Sequence, residues 1–398
     1  MDTLKLFGDW APLKKKPSFI AGGSINLINL EGPIIDSDNL QYFKPNKKVG
    51  PYHLNYNLPE SDNDFIFILA NNHLFDYGLE GYESTIKAIK KKKWNFLGAG
   101  LSKKQACDSV IFEFQKKKIG LLSRSELQFG VAQENKAGVA PLDSNIYEQI
   151  QQLKKKTDFV IVSIHAGAEM FPWPSPRRQD SWRSLIDAGA DIIHGHTSHI
   201  PQGWERYKKG IIFYGLGNFC VDPANWSWHP NGLWSLTPEI SLTEENIEMQ
   251  LKTMVVENNE EKISLRESSQ KEQVSQQEYL KVCNQPLTDR LLLEGLWQEA
   301  SVIMYDRTLS SWLGFNNSPV RIIYQFIKDT IYRLGLKKLE NIHPVNVRER
   351  KDQLRYHLFS CETHSDTIST ALGLLGGELK DLRTKETALL VNKYMLHE

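Results

Sequence analysis

Five short apolar runs in this chain each end on a residue able to bind a metal ion or carry a proton. Residues 4–7 lead into Gly8-Asp9, residues 25–30 into Glu31-Gly32, and residues 65–70 into Asn71-Asn72-His73. Residues 159–164 lead into His165, and residues 191–194 into His196 and His199. Continuous apolar, β-branched runs of this length are the mark of strands buried on both faces. Runs 118–123 and 210–214 read the same way. Helical patterns lie between them. In 79–93, Leu79, Tyr82, Ile86 and Ile89 recur at spacings of three and four, and four lysines close the stretch, where exposed carbonyls favour cations. A second helix is expected over 180–188, closed by Gly189. The alternation predicts a layered α/β domain, in which sites form where loops converge at the carboxyl ends of strands. One polar residue at a strand end means little. Five in chain order define a candidate site.

The residue types then narrow the chemistry. Imidazoles, carboxylates and an amide oxygen, with no thiolate, suit Mn, Fe or Zn. A bridging carboxylate holds two such ions about 3.5–4 Å apart, the spacing that clamps an in-line displacement. His73 directly follows Asn72, so it stands beside any metal that Asn72 binds and is placed to protonate a leaving group. Asp76, three residues on, is placed to orient that imidazole.

Other features exclude more than they assign. Lys+Arg and Asp+Glu are both 48, so bulk charge calls for neither a nucleic acid nor an anionic surface. The lysine runs at 14–16, 90–93, 116–118 and 154–156 lack interleaved aromatics and read as solvated surface. No basic stretch with a following apolar core opens the chain, and no run of 18 apolar residues occurs, so neither a secretory signal nor a transmembrane segment is expected. Cys107, Cys220, Cys283 and Cys361 are far apart in sequence, which argues against a disulfide framework and for a cytoplasmic setting. His194 falls inside a strand run and reads as structural. His357 and His364 receive no role.

At 398 residues, two or three domains are expected. The α/β pattern covers 1–245. Residues 246–285 are polar and read as a connector or exposed helix. Residues 286–398 read as helical, with a clear helix at 318–338 whose start is marked by Ser318 and Pro319. These helices are a candidate surface for a partner. The loop 170–179, "MFPWPSPRRQ", offers Trp173, Arg177 and Arg178 either to a phosphate or carboxylate, or as part of a rigid surface loop. Glu169, four residues after His165, reads equally as a substrate contact or as half of a surface ion pair. The stretch 225–234 brings three tryptophans and His229, either as a wall of the site or as packing under the helical extension.

Seven blocks, "GDW", "NLEGPI", "ANNHLFDYGLEGYESTI", "GAG", "IHAGAE", "DAGADIIHGHTSHIPQ" and "IIFYGLGNF", together resemble the CapA proteins of poly-γ-glutamate capsule synthesis, a branch of the calcineurin-like metallophosphoesterases. The resemblance spans roughly residues 4–223. It implies a four-layer α/β/β/α sandwich with the site at one edge, one or two divalent ions, and a small-molecule or polymer substrate that is phosphorylated or polyglutamate-like. Carried over by motif, Asp9 and His199 serve the first metal, and Glu31 takes the bridging position. Asn72, His165 and His196 serve the second metal, His73 is the proton donor, and Asn218 lines the site. Two departures stand out. Ala11 occupies the place of the wider superfamily's histidine, and two residues, Thr197 and Ser198, separate His196 from His199 where one is usual. The resemblance thus implies a metal-dependent hydrolase, with a capsule-assembly factor that uses the pocket for binding as the alternative.

Overall fold

The computed structural model describes residues 3–13, 15–18, 25–46, 51–55, 58–59, 64–243, 246–259, 262–313 and 347–397. The apolar runs are strands: β1 (Leu4–Ala11), β2 (Ile25–Leu30), β3 (Asp64–Ile68), β4 (Lys117–Ser125), β5 (Phe159–His165), β6 (Ile192–His196) and β7 (Gly210–Phe213). They continue into β8 (Asn218–Val221), β9 (Trp234–Leu242), β10 (Ile247–Asn259) and β11 (Lys262–Glu267). Two sheets result. The nine-stranded sheet runs β11-β10-β9-β1-β2-β3, with Lys16–Ser18 and Asn95–Leu97 at its edges and β8 beside β1. The six-stranded sheet has β4, β5, β6 and β7 in parallel, flanked by Val110–Phe114 and Trp204–Tyr207.

Alternation along the strands builds three apolar layers. Leu4, Leu6, Leu27, Ile66 and Ile68 of the first sheet meet Ile119, Leu121, Ile161, Ile192 and Phe213 of the second. On the far side of the first sheet, Phe65 and Phe67 pack with Tyr82, Ala88 and Ile89 of α1 (Gly78–Lys91). On the far side of the second, Val160, Val162 and Ile193 pack with α2 (Asn145–Lys154) and α3 (Pro176–Asp187). The layers are therefore α/β/β/α. Local chemistry sets the helix ends. Ser175 caps α3 by accepting from Arg178 N–H, Pro176 opens its first turn, and Gly189 follows its end with φ +117°. Helix α3 thus begins four residues earlier than 180–188 suggested.

One expectation is corrected. Residues 246–285 are not a connector. β9, β10 and β11 form an antiparallel meander that extends the first sheet, and α4 (Gln270–Asn284) then packs Tyr279, Leu280 and Cys283 into the inter-sheet core. Ile247, Met249, Leu251 and Val255 alternate inward along β10 with polar residues between them as far as Lys252, and Met254 and Val256 then turn into the core on the opposite side of the sheet. The average composition of the stretch hides a period of two.

The remaining helices are α5 (Arg290–Met304), α6 (Val347–Ser360), α7 (Glu362–Leu375) and α8 (Lys385–Val391). Leu293, Leu296, Trp297 and Ala300 of α5, with Val391 of α8, bury Phe171 and Trp173. The Trp173 indole N–H donates to Val282 O. The aromatic part of loop 170–179 is therefore the seat of the C-terminal helices, not a surface loop. The helix expected at 318–338 lies outside the described residues. Among the described residues, no helix is long and apolar enough to cross a membrane.

Candidate metal centre

The site begins with a bulge in β1. A Cβ on Gly8 would lie 1.9 Å from Gly217 O, so only glycine allows the strand to approach the 215–217 loop, where Asp9 N–H donates to Gly217 O. The register against β2 shifts between Phe7 and Asp9, which re-aims the Asp9 side chain. Its Oδ1 accepts from Asn29 Nδ2 at 2.7 Å and lies 3.3 Å from His196 Nδ1. Its Oδ2 lies 3.5 Å from His199 Nδ1. Glu31 Oε1 stands 3.8 Å from both His165 Nε2 and His199 Nε2. Single donor atoms of Asp9, Glu31 and His199 fall within 4.8 Å of one another, and all three residues are buried.

His165 and His196 face each other across the parallel β5–β6 pair. His199 comes back to the site through a tight turn in which Thr197 and His199 take φ of +89° and +56°. Left-handed backbone on side-chain-bearing residues costs on the order of 1–3 kcal/mol each and clusters at functional sites. His199 Nδ1 is 3.0 Å from Asn218 Oδ1, so the ring donates there and leaves Nε2 for the Glu31 side.

A relay fixes His196. His194 Nε2 donates to Phe7 O at 2.9 Å, so His194 Nδ1 accepts the Ser163 hydroxyl proton. The Ser163 oxygen then accepts from His196 Nε2 at 3.1 Å. His196 is left with the Nδ1 lone pair turned toward Asp9. A lone pair 3.3 Å from a carboxylate is repulsive unless a proton or a cation lies between them. The same relay occupies both nitrogens of His194, which is structural as its place inside a strand suggested.

Burial acts on every charge here. It pushes Asp9 up, but hydrogen bonding and charge from His196, with the charge of His199, outweigh it and hold the carboxyl below the ordinary range. Burial lowers His165 to about 3, so that ring is neutral, the state a metal requires. Asn72 Oδ1 is buried with no hydrogen-bond donor among the described residues. Among the ion partners of Asp9 and Glu31 are the imidazoles of His165, His196 and His199. Two buried carboxylates, converging imidazole nitrogens and an orphaned amide oxygen fit a divalent cation.

His73 stands at the edge. Its Nδ1 is 2.7 Å from Asp76 Oδ2, and Tyr52 lies on its ring with centroids 3.8 Å apart. Asp76 is fully buried and also accepts the Tyr52 backbone N–H at 3.0 Å. Asn71 holds the turn, accepting from the His73 and Leu74 amides and donating to Leu30 O.

Of the remaining sequence-based candidates, Asn218 joins the site through His199. Arg178 does not. Its guanidinium pairs with buried Glu126 at 3.0 Å and with Thr363 Oγ1 of α7, so it ties the C-terminal helices down and is withdrawn as a substrate ligand. Arg177 and Glu169 are exposed, and Glu169 acts electrostatically on both Tyr52 and His364. Ala11 ends β1 and offers no donor atom. Trp226, one of the tryptophans of 225–234 offered as a wall of the site, lies with its ring 4.3 Å from that of His199. Asn29, Ser163 and Tyr52 were not anticipated as site residues. Asn29 and Ser163 carried one signal, a polar residue inside an apolar strand run. Tyr52 carried none.

Residues 7–223 match the family described as bacterial capsule synthesis protein PGA_cap. The capsule biosynthesis protein CapA of Bacillus anthracis is 30% identical over 254 residues, 61% of this chain and 57% of that protein. The PGA biosynthesis protein CapA of Bacillus subtilis is 32% identical over 224 residues, 53% of this chain and 55% of that protein. The chain thus spans somewhat over half the length of these relatives. A phosphatase of Mycoplasma pneumoniae superposes with a TM-score of 0.37 and 14% identity, covering 70% of this chain and 96% of that one, too loosely to bear on function.

Proposed function

The chain belongs to the bacterial capsule synthesis protein family PGA_cap, and from that footing we propose that it is a metal-dependent hydrolase of the metallophosphoesterase type. The substrate class is a phosphoester or a related centre, on a small molecule or on a polyglutamate-like polymer. The observation that carries the reading is the convergence of Asp9, Glu31 and His199 donor atoms, and a buried Asn72 Oδ1 that no donor among the described residues meets adds to it. One or two divalent ions (Mn, Fe or Zn) held by Asp9, Glu31, Asn72, His165, His196 and His199 would supply Lewis acidity and acidify water at neutral pH. The protein's own residues do the rest. Asp76 fixes the His73 ring through Nδ1, which leaves Nε2 to hand a proton to the leaving group. Tyr52 covers the other side of that ring and limits water around it. Asn218 and Ser163 hold His199 and His196 in the tautomers that ligation needs.

The test is turnover by purified protein with Mn²⁺ against phosphomonoester, phosphodiester and γ-glutamyl amide panels, beside His73→Ala. Metal-stimulated turnover that is lost in the variant supports the reading. No turnover, or equal turnover in the variant, overturns it.

A second reading is favoured by Ala11, which removes one donor from the first metal, and by relatives whose names point away from catalysis. A Mycobacterium tuberculosis protein, 29% identical over 168 residues, is named a probable polyglutamine synthesis accessory protein. Here the pocket binds without turning over. Equilibrium binding of poly-γ-glutamate, with no hydrolysis, separates this reading from the first. The proposal includes a cytoplasmic setting. All four cysteines are unpaired, which supports a reducing compartment, and cell fractionation tests it.

A further inference from the structure

The described residues hold a second cluster of metal-binding side chains, chemically unlike the first. Helices α6 and α7 meet at Cys361, which takes extended backbone (φ −72°, ψ 121°) between them. His357 lies one turn back, on the last turn of α6, and His364 one turn forward, on the first turn of α7. The elbow folds both imidazoles over the sulfur. His364 Nδ1 is 3.0 Å from Cys361 Sγ, the two rings are 4.6 Å apart, and one donor atom from each of the three residues falls within 4.8 Å of the others.

The surroundings hold this cluster in place. Phe129 stacks on the His357 ring with centroids 4.3 Å apart. Gln128 Nε2 lies 3.9 Å from the sulfur and is anchored at 2.9 Å on Glu126. Glu126 in turn accepts from Thr363 N–H and Thr363 Oγ1, two residues past the cysteine. Cys361 is fully buried and His357 nearly so. Burial and the Glu126 carboxylate push the Cys361 thiol well above its ordinary range, and the N-terminus of the 14-residue α7 and Arg178 oppose them only in part, so the thiolate forms only when a bound cation displaces its proton.

We propose that His357, Cys361 and His364 form a zinc site distinct from the Asp9–His199 centre. One thiolate and two imidazoles are a soft, nitrogen-and-sulfur donor set that selects zinc over magnesium, calcium or manganese. Zinc takes sulfur at about 2.3 Å and imidazole nitrogen at about 2.0–2.1 Å, so a shift of about an ångström, within reach of side-chain rotation, closes the three donors on one ion. Binding releases the thiol proton to solvent, and the fourth position takes water. The site would clasp the α6–α7 elbow to the 126–129 loop, whose Glu126 N–H donates to His165 O, so the C-terminal helices are locked against the strand that carries His165.

Cobalt provides the test, because of the two clusters among the described residues this one offers sulfur. Full-length protein stripped of metal is titrated with Co²⁺ and followed in the near ultraviolet, where a thiolate-to-cobalt charge-transfer band appears. The proposal expects a band that saturates with one ion, is bleached by Zn²⁺, persists in Cys107→Ser and is lost in Cys361→Ser. No band in the wild-type protein, or a band that survives Cys361→Ser, overturns it. Should Cys361→Ser fail to fold, peptide mapping of wild-type protein after thiol alkylation decides. Zinc must protect Cys361 at least tenfold, and equal labelling with and without zinc overturns the site. Filling of the first centre produces neither signal, so failure of the hydrolase reading leaves this result intact.

Discussion

Ser163 hydrogen-bonds to one candidate ligand, His196, and sets which nitrogen that histidine offers. Partners of this kind are worth about 10–100-fold in metal affinity when removed. Ser163→Ala is therefore expected to weaken binding at the first centre by that factor while leaving the fold intact, as read by competition with a chelator. Asp76 plays the matching part for His73. If the site turns over, His73→Ala should lower kcat by about 10²–10⁴, the usual worth of a positioned acid. Asp76→Asn should lower it less and move the alkaline limb of the pH profile to lower pH, because the ring keeps its place but loses the charge that held its proton. Steady-state kinetics across pH check both. His73 was legible in the sequence because Asn72 precedes it and Asp76 follows it. Ser163 and Asn29 were not, because a single polar residue in a buried strand looks the same whether it satisfies the core or orients a ligand.

Between elements, one buried ion pair carries the docking of the C-terminal helices. Glu126 follows β4, Arg178 lies in the first turn of α3, and Thr363 in the first turn of α7. Burial pushes the Glu126 carboxyl up, and Arg178, with the Gly167 amide and Thr363, brings it below its ordinary range. Removing one member strands the other in a dry site, at about 3–5 kcal/mol. Arg178→Ala is expected to destabilise the protein by that amount in denaturant unfolding. An equal loss on substituting exposed Arg177 would contradict the assignment. Trp173→Ala should cost a comparable amount, about 3–5 kcal/mol, since it empties a filled space under α5. In sequence, the tryptophan and the two arginines of this loop resembled a ligand clamp. Residues that bind ligands and residues that dock helices are the same types, and only the partner distinguishes them.

For the molecule as a whole, the buried imidazoles make stability depend on acidity. His165 is lowered from 6.5 to about 3, chiefly by burial, and His194 falls well below 6.5 for the same reason. In the unfolded chain both take up protons as pH drops below 6.5, while in the folded protein they stay neutral. The unfolded state then binds more protons, so their contribution is full above 6.5 and is lost progressively below it, for His165 down to about 3. Asp9 and Glu126, both depressed, withdraw theirs at still lower pH, below the ordinary carboxylate values. Metal-depleted protein should therefore show a melting temperature that falls steadily from pH 6.5 downward. His165→Asn should flatten that fall, and a melting temperature independent of pH across the window would refute the account. The strand ends were legible from the chain because burial on both faces demands unbroken apolar runs, and beside such runs Asp9, Glu31, Asn72, His165 and His196 have few bland explanations. The meander of β9 to β11 was not, because strands whose apolar and polar residues alternate have an ordinary average polarity. Nor was the pairing of Arg178 with Glu126, the relay through Ser163, or the meeting of His357 and His364 over Cys361. Each depends on which distant segments come into contact, and backbone pairing across the sheets and packing of the helices settle that, whereas spacing along the chain does not.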